Sequence, residues 1–160
     1  MADLKKIFID VGCDCPDTLL QSGNVAFRSI VQDDRELEAL LHAEFERQAG
    51  FLSVFHVRSA DELREIIVKN PLSREAESDP SHLLVHFLRH SPDPSQVQAV
   101  QSAVKGPELL RVFGRHLYIA YPAGIGDSTA ARTPGWNKLM ADGTARNWNT
   151  VLKLLRLCDA

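Results

Sequence analysis

Apolar positions along the chain recur at helical spacing in five stretches and alternate in strand fashion in six. Leu4, Ile7 and Phe8 predict a short helix from Asp3 to about Val11, ending near Gly12. Asp17–Gln21 and Asn24–Arg28 read as two strands around Ser22-Gly23, where glycine accepts positive φ without penalty. Leu37, Leu40, Leu41, Phe45 and Ala49 stripe a helix from Asp33 to about Ala49 that Gly50 stops. Leu52–Val57 alternates loosely, as a strand does. Ser59 and Glu62 have capping-box spacing and open a helix that ends before Pro71. Residues 71–80 are polar and almost without period, a linker between residues 1–70 and 81–160. Beyond it, Leu83–Leu88 reads as a buried strand and Pro94 to about Lys105 as a helix with Val97, Val100 and Val104 inward. Leu109–Phe113 and His116–Tyr121 pair around Gly114-Arg115. A loop with Gly124, Gly126, Pro134 and Gly135 leads to a last helix over residues 144–156. Thr144 is its expected N-cap; Trp148, Val151, Leu152 and Leu155 share its apolar face, and Arg146, Asn149, Lys153 and Arg156 the opposite one.

The order of elements points to an α+β fold. The first half runs α-β-β-α-β, and the second runs β-α-β-β followed by a helix. Two tandem ferredoxin-like (βαββαβ) plaits predict this series if the first lacks its opening strand. That strand is central in such a plait, so its absence leaves a gap whose flanking backbone groups need partners. Three completions stay open: a second copy in a homo-oligomer, a neighbouring segment, or a coding sequence that begins upstream of Met1.

Composition then narrows the setting. A hydrophobic content of 44% and a charged content of 24% are ordinary for a soluble globular chain. No apolar run approaches the ~20 residues that span a bilayer, so no membrane partner is expected. The first residues lack the basic-then-apolar order of a secretory signal, and three cysteines leave an odd thiol; cytoplasmic residence follows. Residues 1–104 carry 10 Lys/Arg against 17 Asp/Glu, whereas residues 105–160 carry 8 against 4. The basic end is too sparse for a duplex-DNA footprint but suits a small anion.

Candidate chemistry is thin. His82, His86 and His90 recur every four residues, but on a strand that step is roughly 13 Å, too far for one ion with ligand bonds near ~2 Å. Cys13 and Cys15 have no second pair, so no metal and no cofactor is expected. There is no Gly-x-Ser-x-Gly elbow, and Cys158 is expected on the buried side of the last helix, where a thiol is inert. No catalytic residue can be assigned. The loop Gly124-Ile-Gly126-Asp-Ser128 follows a strand, so its amides can cradle an anion, although it lacks the lysine and spacing of a P-loop. Arg146, Asn147, Asn149 and Lys153 supply a bidentate cation, orienting amides and a second cation at a helix start. Gly124, Gly126, Ser128, Arg146, Asn147, Asn149 and Lys153 are therefore the candidate ligand-binding set. An anionic small molecule or nucleotide is the expected ligand; an RNA-binding module or an enzyme of unknown reaction are the alternatives.

Three segments carry a family resemblance: Leu20-Gln-Ser-Gly-Asn-Val25, Gly124-Ile-Gly126 with Ser128, and Thr144-Ala-Arg-Asn-Trp-Asn-Thr-Val151 with Lys153-Leu154. Together they resemble the uncharacterised bacterial proteins of the domain of unknown function 1697 family, in order and over nearly the whole chain. The resemblance implies a small α+β protein with repeated plait-like halves and brings no established reaction. Typical members open with an extra strand and a glycine-rich turn before a Met-x-x-Leu that matches Met1 to Leu4. They also tend to have Lys-Leu after the loop serine, where this chain has Thr129-Ala130, which weakens an anion role carried over to that loop.

Overall fold

The computed structural model describes residues 3–19 and 23–160, which form two compact units. The first comprises residues 3–63 of the described chain with 153–160, and the second comprises 64–152. Each is mixed helix and antiparallel sheet.

In the first unit, α1 (Leu4–Asp10) starts at Asp3, whose carboxylate accepts from the Lys6 amide. It leads into the hairpin β1 (Asp14–Leu19) and β2 (Asn24–Arg28), paired from Asp14↔Arg28 to Leu19↔Asn24 with a register shift between Asp14 and Asp17. The expected hairpin tip lies outside the described residues apart from Gly23, which has φ 77°. Helix α2 (Asp34–Ala49) is capped by Asp33, which accepts from the Glu36 amide, and stopped by left-handed Gly50. Ile7, Phe8, Cys13, Leu37 and Leu41 form the core. Leu40, expected in that stripe, is exposed, and Glu38 is buried instead. Its carboxylate accepts from the Val57 amide at 2.8 Å.

That bond marks a correction. Leu52–Val57 was expected as a strand, yet residues 51–59 form no ladder with any described segment. An alternating sequence becomes a strand only where an edge is available to pair with it. Here α2 side chains take the backbone groups instead: Glu38 holds the Val57 amide, and His42 Nδ1 lies 2.6 Å from the Ser53 carbonyl.

The boundary between units runs through α3 (Ala60–Val68), where Ser59 Oγ accepts from the Glu62 amide as the capping spacing predicts. The expected linker 71–80 contains α4 (Ser73–Ser78), followed by a short 3₁₀ turn, Pro80–His82.

The second unit is built on β3 (Leu83–Phe87), α5 (Pro94–Ala103), β4 (Leu109–Phe113), β5 (His116–Ala120), α6 (Trp136–Met140) and β6 (Thr144–Asn147). The strands order as β4-β5-β3-β6, every neighbouring pair antiparallel. One sheet face packs Leu110, Leu117 and Ile119 against Val97 and Val100 of α5 and Trp136 and Leu139 of α6. On the other face Arg111, Tyr118, Val85 and Arg146 stand in one row across the four strands. Tyr118 is fully buried there and donates to the Ile66 carbonyl at 2.6 Å, tying the sheet to α3. Tyr118→Phe leaves that carbonyl unpaired and lowers stability by about 1–3 kcal/mol in chemical denaturation; an unchanged midpoint would mean the bond is absent in solution.

Two further corrections concern the C-terminal part. The loop before the last helix contains α6, which the sequence reading missed because five residues are too few to show a period. Thr144–Asn147 was expected as the helix start but is β6, pairing Leu84↔Asn147 through Phe87↔Thr144. The free edge of β3 offers four residues of ladder, which outweighs their helical pattern. Helix α7 (Trp148–Asp159) begins after it, and its cap is Asn147, not Thr144: Asn147 Oδ1 accepts from the Thr150 amide at 3.3 Å. Trp148 and Val151 are buried on its apolar face, but Cys158 is exposed, not buried as expected.

Of the three spaced histidines only His86 lies in β3. Its row, Val112, Leu117 and Ala145, is apolar, and Nε2 has no hydrogen-bond partner. Burial lowers its pKa from an ordinary 6.5 to about 4. Because the folded value is depressed, the unfolded chain takes the proton first. Stability is full above pH 6.5 and falls as pH drops toward 4, by an amount on the order of 2 kcal/mol after discounting the part of the ring that water reaches. Thermal melts of wild type and His86→Leu between pH 7 and 4 check this; equal slopes would remove His86 as the cause.

Candidate functional site

Unit two carries a groove of about 540 Å³ lined by Ala103, Lys105, Thr129, Arg132, Thr133 and Pro134. Its walls are built locally. Helix α5 ends at Ala103, and Val104 takes an extended conformation that turns the chain and leaves Lys105 exposed. Opposite in sequence, the chain leaves β5 at Tyr121, passes the glycine loop and makes a 3₁₀ turn, Ala130–Arg132, before α6. Among the described residues neither Lys105 nor Arg132 has a carboxylate partner. Two cations and two threonine hydroxyls thus line one groove of ligand size.

A buried carboxylate holds the wall in place. Glu108 is 4% exposed, and its Oε1 accepts from Ser128 Oγ at 2.6 Å. Ser128 Oγ in turn accepts from the Ala130 amide at 3.2 Å, which starts the turn that carries Arg132. Gln101 ties α5 to the next strand, donating to the Glu108 carbonyl at 3.1 Å and accepting from the Leu110 amide. Burial, with the Glu108 charge adding to it, pushes the Tyr121 phenol up to about 12, so Tyr121 stays neutral at ordinary pH. Sequence reading missed Glu108 because nothing local distinguishes it from the acidic residues on helix exteriors.

The sequence-derived set divides. In the loop, the Gly124 amide donates to the Tyr121 carbonyl and the Ser128 amide to the Ile125 carbonyl, so both serve turns. Gly124 has φ 87°, a backbone that favours glycine. Ser128 faces Glu108 and not the groove lining. Arg146 projects from edge strand β6 on the Tyr118 face; its Nη1 donates to Thr144 Oγ1 and to the Ala145 carbonyl, each at 2.8 Å. Burial lowers its pKa. Asn147 caps α7 and donates through Nδ2 to the Ser81 carbonyl at 3.2 Å. Asn149 and Lys153 lie one turn apart on α7. The loop and the α7 start share one end of the sheet: Tyr121 donates to the His82 carbonyl beside Ser81. Lys105, Thr129, Arg132 and Thr133 belong to neither motif. Their only sequence signal is the basic excess after residue 104.

Strand β5 leaves nothing for base stacking. All five residues of β5 are buried. Among the described residues no cluster of His, Cys, Asp and Glu is arranged to hold a metal ion, and no helix is long and apolar enough to cross a membrane.

Residues 1–118 match the model of a protein family of unknown function, DUF1697. The chain belongs to the DUF1697 family. The matched span ends within β5, before the glycine loop and α7. A solved structure is similar over the whole length: a conserved bacterial protein from Streptococcus pneumoniae matches with a TM-score of 0.73 and 19% identity, over 100% of this chain and 89% of that one. At that identity the likeness shows the fold alone. No curated protein resembles the sequence closely enough to count as a match.

Proposed function

We propose that this DUF1697 protein binds a small anionic molecule, a phosphorylated or polycarboxylate metabolite, in the groove lined by Lys105, Thr129, Arg132 and Thr133. The observation that carries the reading is two cations, without a carboxylate partner among the described residues, sharing a groove of about 540 Å³. Arginine and lysine without such partners are poised for charge-assisted hydrogen bonds, and the hydroxyls orient the anion. In this reading the Gly124–Ser128 loop forms the approach to the groove, held by the Glu108–Ser128 bond. Arg146, Asn147 and Asn149 form a second anion-binding candidate where β6 leads into α7. The protein acts in the cytoplasm, and binding alone accounts for the groove.

The same reading treats the two halves, 1–70 and 81–160 around the stretch 71–80, as tandem ferredoxin-like plaits. The antiparallel order β4-β5-β3-β6, with α5 and α6 as crossovers, supports this for the second. Isothermal titration with pyrophosphate, nucleoside triphosphates and citrate tests the ligand reading. Saturable heat that weakens as salt rises is expected with at least one of them. Absence of heat with all of them, and no rise in melting temperature, would reject it.

A further inference from the structure

We infer that the groove of the second unit selects an anion that also carries a primary amine, a small aminoalkyl phosphate, and that Glu108 reads the amine; this rests on the anion reading of the groove. Lys105 and Arg132 hold the phosphate, and Glu108 Oε2 accepts from the ammonium.

The position of the carboxylate places it between the two groove walls. Its Oε1 accepts from Ser128, which precedes the lining residue Thr129. Its Oε2 lies over Gly106, which follows the lining residue Lys105: a methyl group on Gly106 would stand 2.3 Å from that oxygen. Glu108 therefore sits where the walls meet, and Gly106 leaves the room it needs. The Gly106 backbone is not left-handed, so an alanine there would disturb the carboxylate and not the chain conformation.

Glu108 is also short of partners. It is 4% exposed, and Oε2 is buried with no hydrogen-bond partner. Among the described residues its carboxylate bonds to Ser128 alone and forms no ion pair with any Lys, Arg or His. An ionised carboxylate offers about four lone-pair sites, and burying its charge beside a single neutral donor is costly. Tyr121, the buried phenol whose ionisation the Glu108 charge opposes, stays neutral and brings no cation. A hydroxyl on the ligand would supply the hydrogen bond without the charge, whereas an ammonium supplies both. Lys105 and Arg132 are exposed on the lining and remain for the phosphate. A groove of about 540 Å³ has room for a molecule of this kind.

Isothermal titration of the full chain with aminoethyl and aminobutyl phosphate, each against the alkyl phosphate of equal length, tests this. Saturable heat is expected with both kinds, and at least one amine should bind about tenfold or more tighter than its alkyl counterpart. Glu108→Gln keeps the shape and an acceptor for Ser128 but removes the charge, so the ratio of the two affinities should fall to within about threefold of unity. Gly106→Ala keeps the charge and displaces Oε2, and it should lower the ratio as well; it decides the matter if Glu108→Gln does not fold. Equal wild-type affinity for amine and alkyl phosphate would overturn the role of Glu108 and leave the anion reading standing. A ratio that survives the substitutions, even with both ligands weakened, would reduce Glu108 to a support of the wall. Hydroxyethyl phosphate binding as tightly as aminoethyl phosphate would overturn the amine. No heat with any phosphate would overturn this inference and the anion reading together.

Discussion

Trp136→Ala is expected to lower the stability of the second unit by about 3–5 kcal/mol, the usual cost of truncating a buried tryptophan. Trp136 is 6% exposed and packs in one cluster with Val97, Val100, Leu117 and Ile119. The cost extends past the cavity because α6 has little else to hold it. It is five residues long, starts at Gly135 in a left-handed conformation and has no side-chain cap. A helix that short does not persist on its own propensity. Trp136 and Leu139 are the groups that dock it. The Trp136 amide also donates to the Thr133 carbonyl, so the groove wall loosens with the helix. Calorimetry should show a melting temperature lower by at least roughly 12 °C for the transition of this unit, with Trp136→Phe losing about half as much. A loss below about 1 kcal/mol would mean that Trp136 is not part of the core.

Lys105→Ala and Arg132→Ala are each expected to weaken binding of a phosphorylated ligand by about 10–100-fold, since a hydrogen bond to a charged group contributes roughly 1.5–3 kcal/mol. Both side chains are exposed and make no ion pair among the described residues, so the fold should be indifferent to their loss. Melting temperatures within about 1 °C of wild type are the check on that point. Arg132→Lys should retain part of the affinity, because it keeps the charge and loses the planar fork. Titration with whichever anion binds wild type most tightly reads the effect. Arg146→Ala separates the groove from the start of α7. Unchanged binding keeps the ligand in the groove, whereas a loss confined to Arg146→Ala would move it to the α7 candidate.

The sequence and the structure agree where local chemistry is strong. Asp33 and Gly50 bracket α2 because an aspartate cap and a left-handed glycine are local devices that need no partner. The β4–β5 hairpin around Gly114 was legible for the same reason. They part where a neighbour decides. Leu52–Val57 alternates like a strand and is not one; Thr144–Asn147 continues a helical period and is a strand. In the first case the needed edge is missing among the described residues, and in the second β3 supplies it.

The site shows the same division. The sequence singled out the glycine loop and the start of α7, and these do share one end of the sheet. It passed over Lys105 and Arg132, which lie in unremarkable stretches and line one groove only because α5 and the turn before α6 pack on the same sheet face. By itself, then, the sequence determined the caps of α2 and α3, the β4–β5 turn, the α+β class and the family, all properties of residues near one another along the chain. Which strand pairs with which edge, where the glutamates hide and which cations meet were decided by tertiary structure, because burial and pairing depend on residues far apart in sequence.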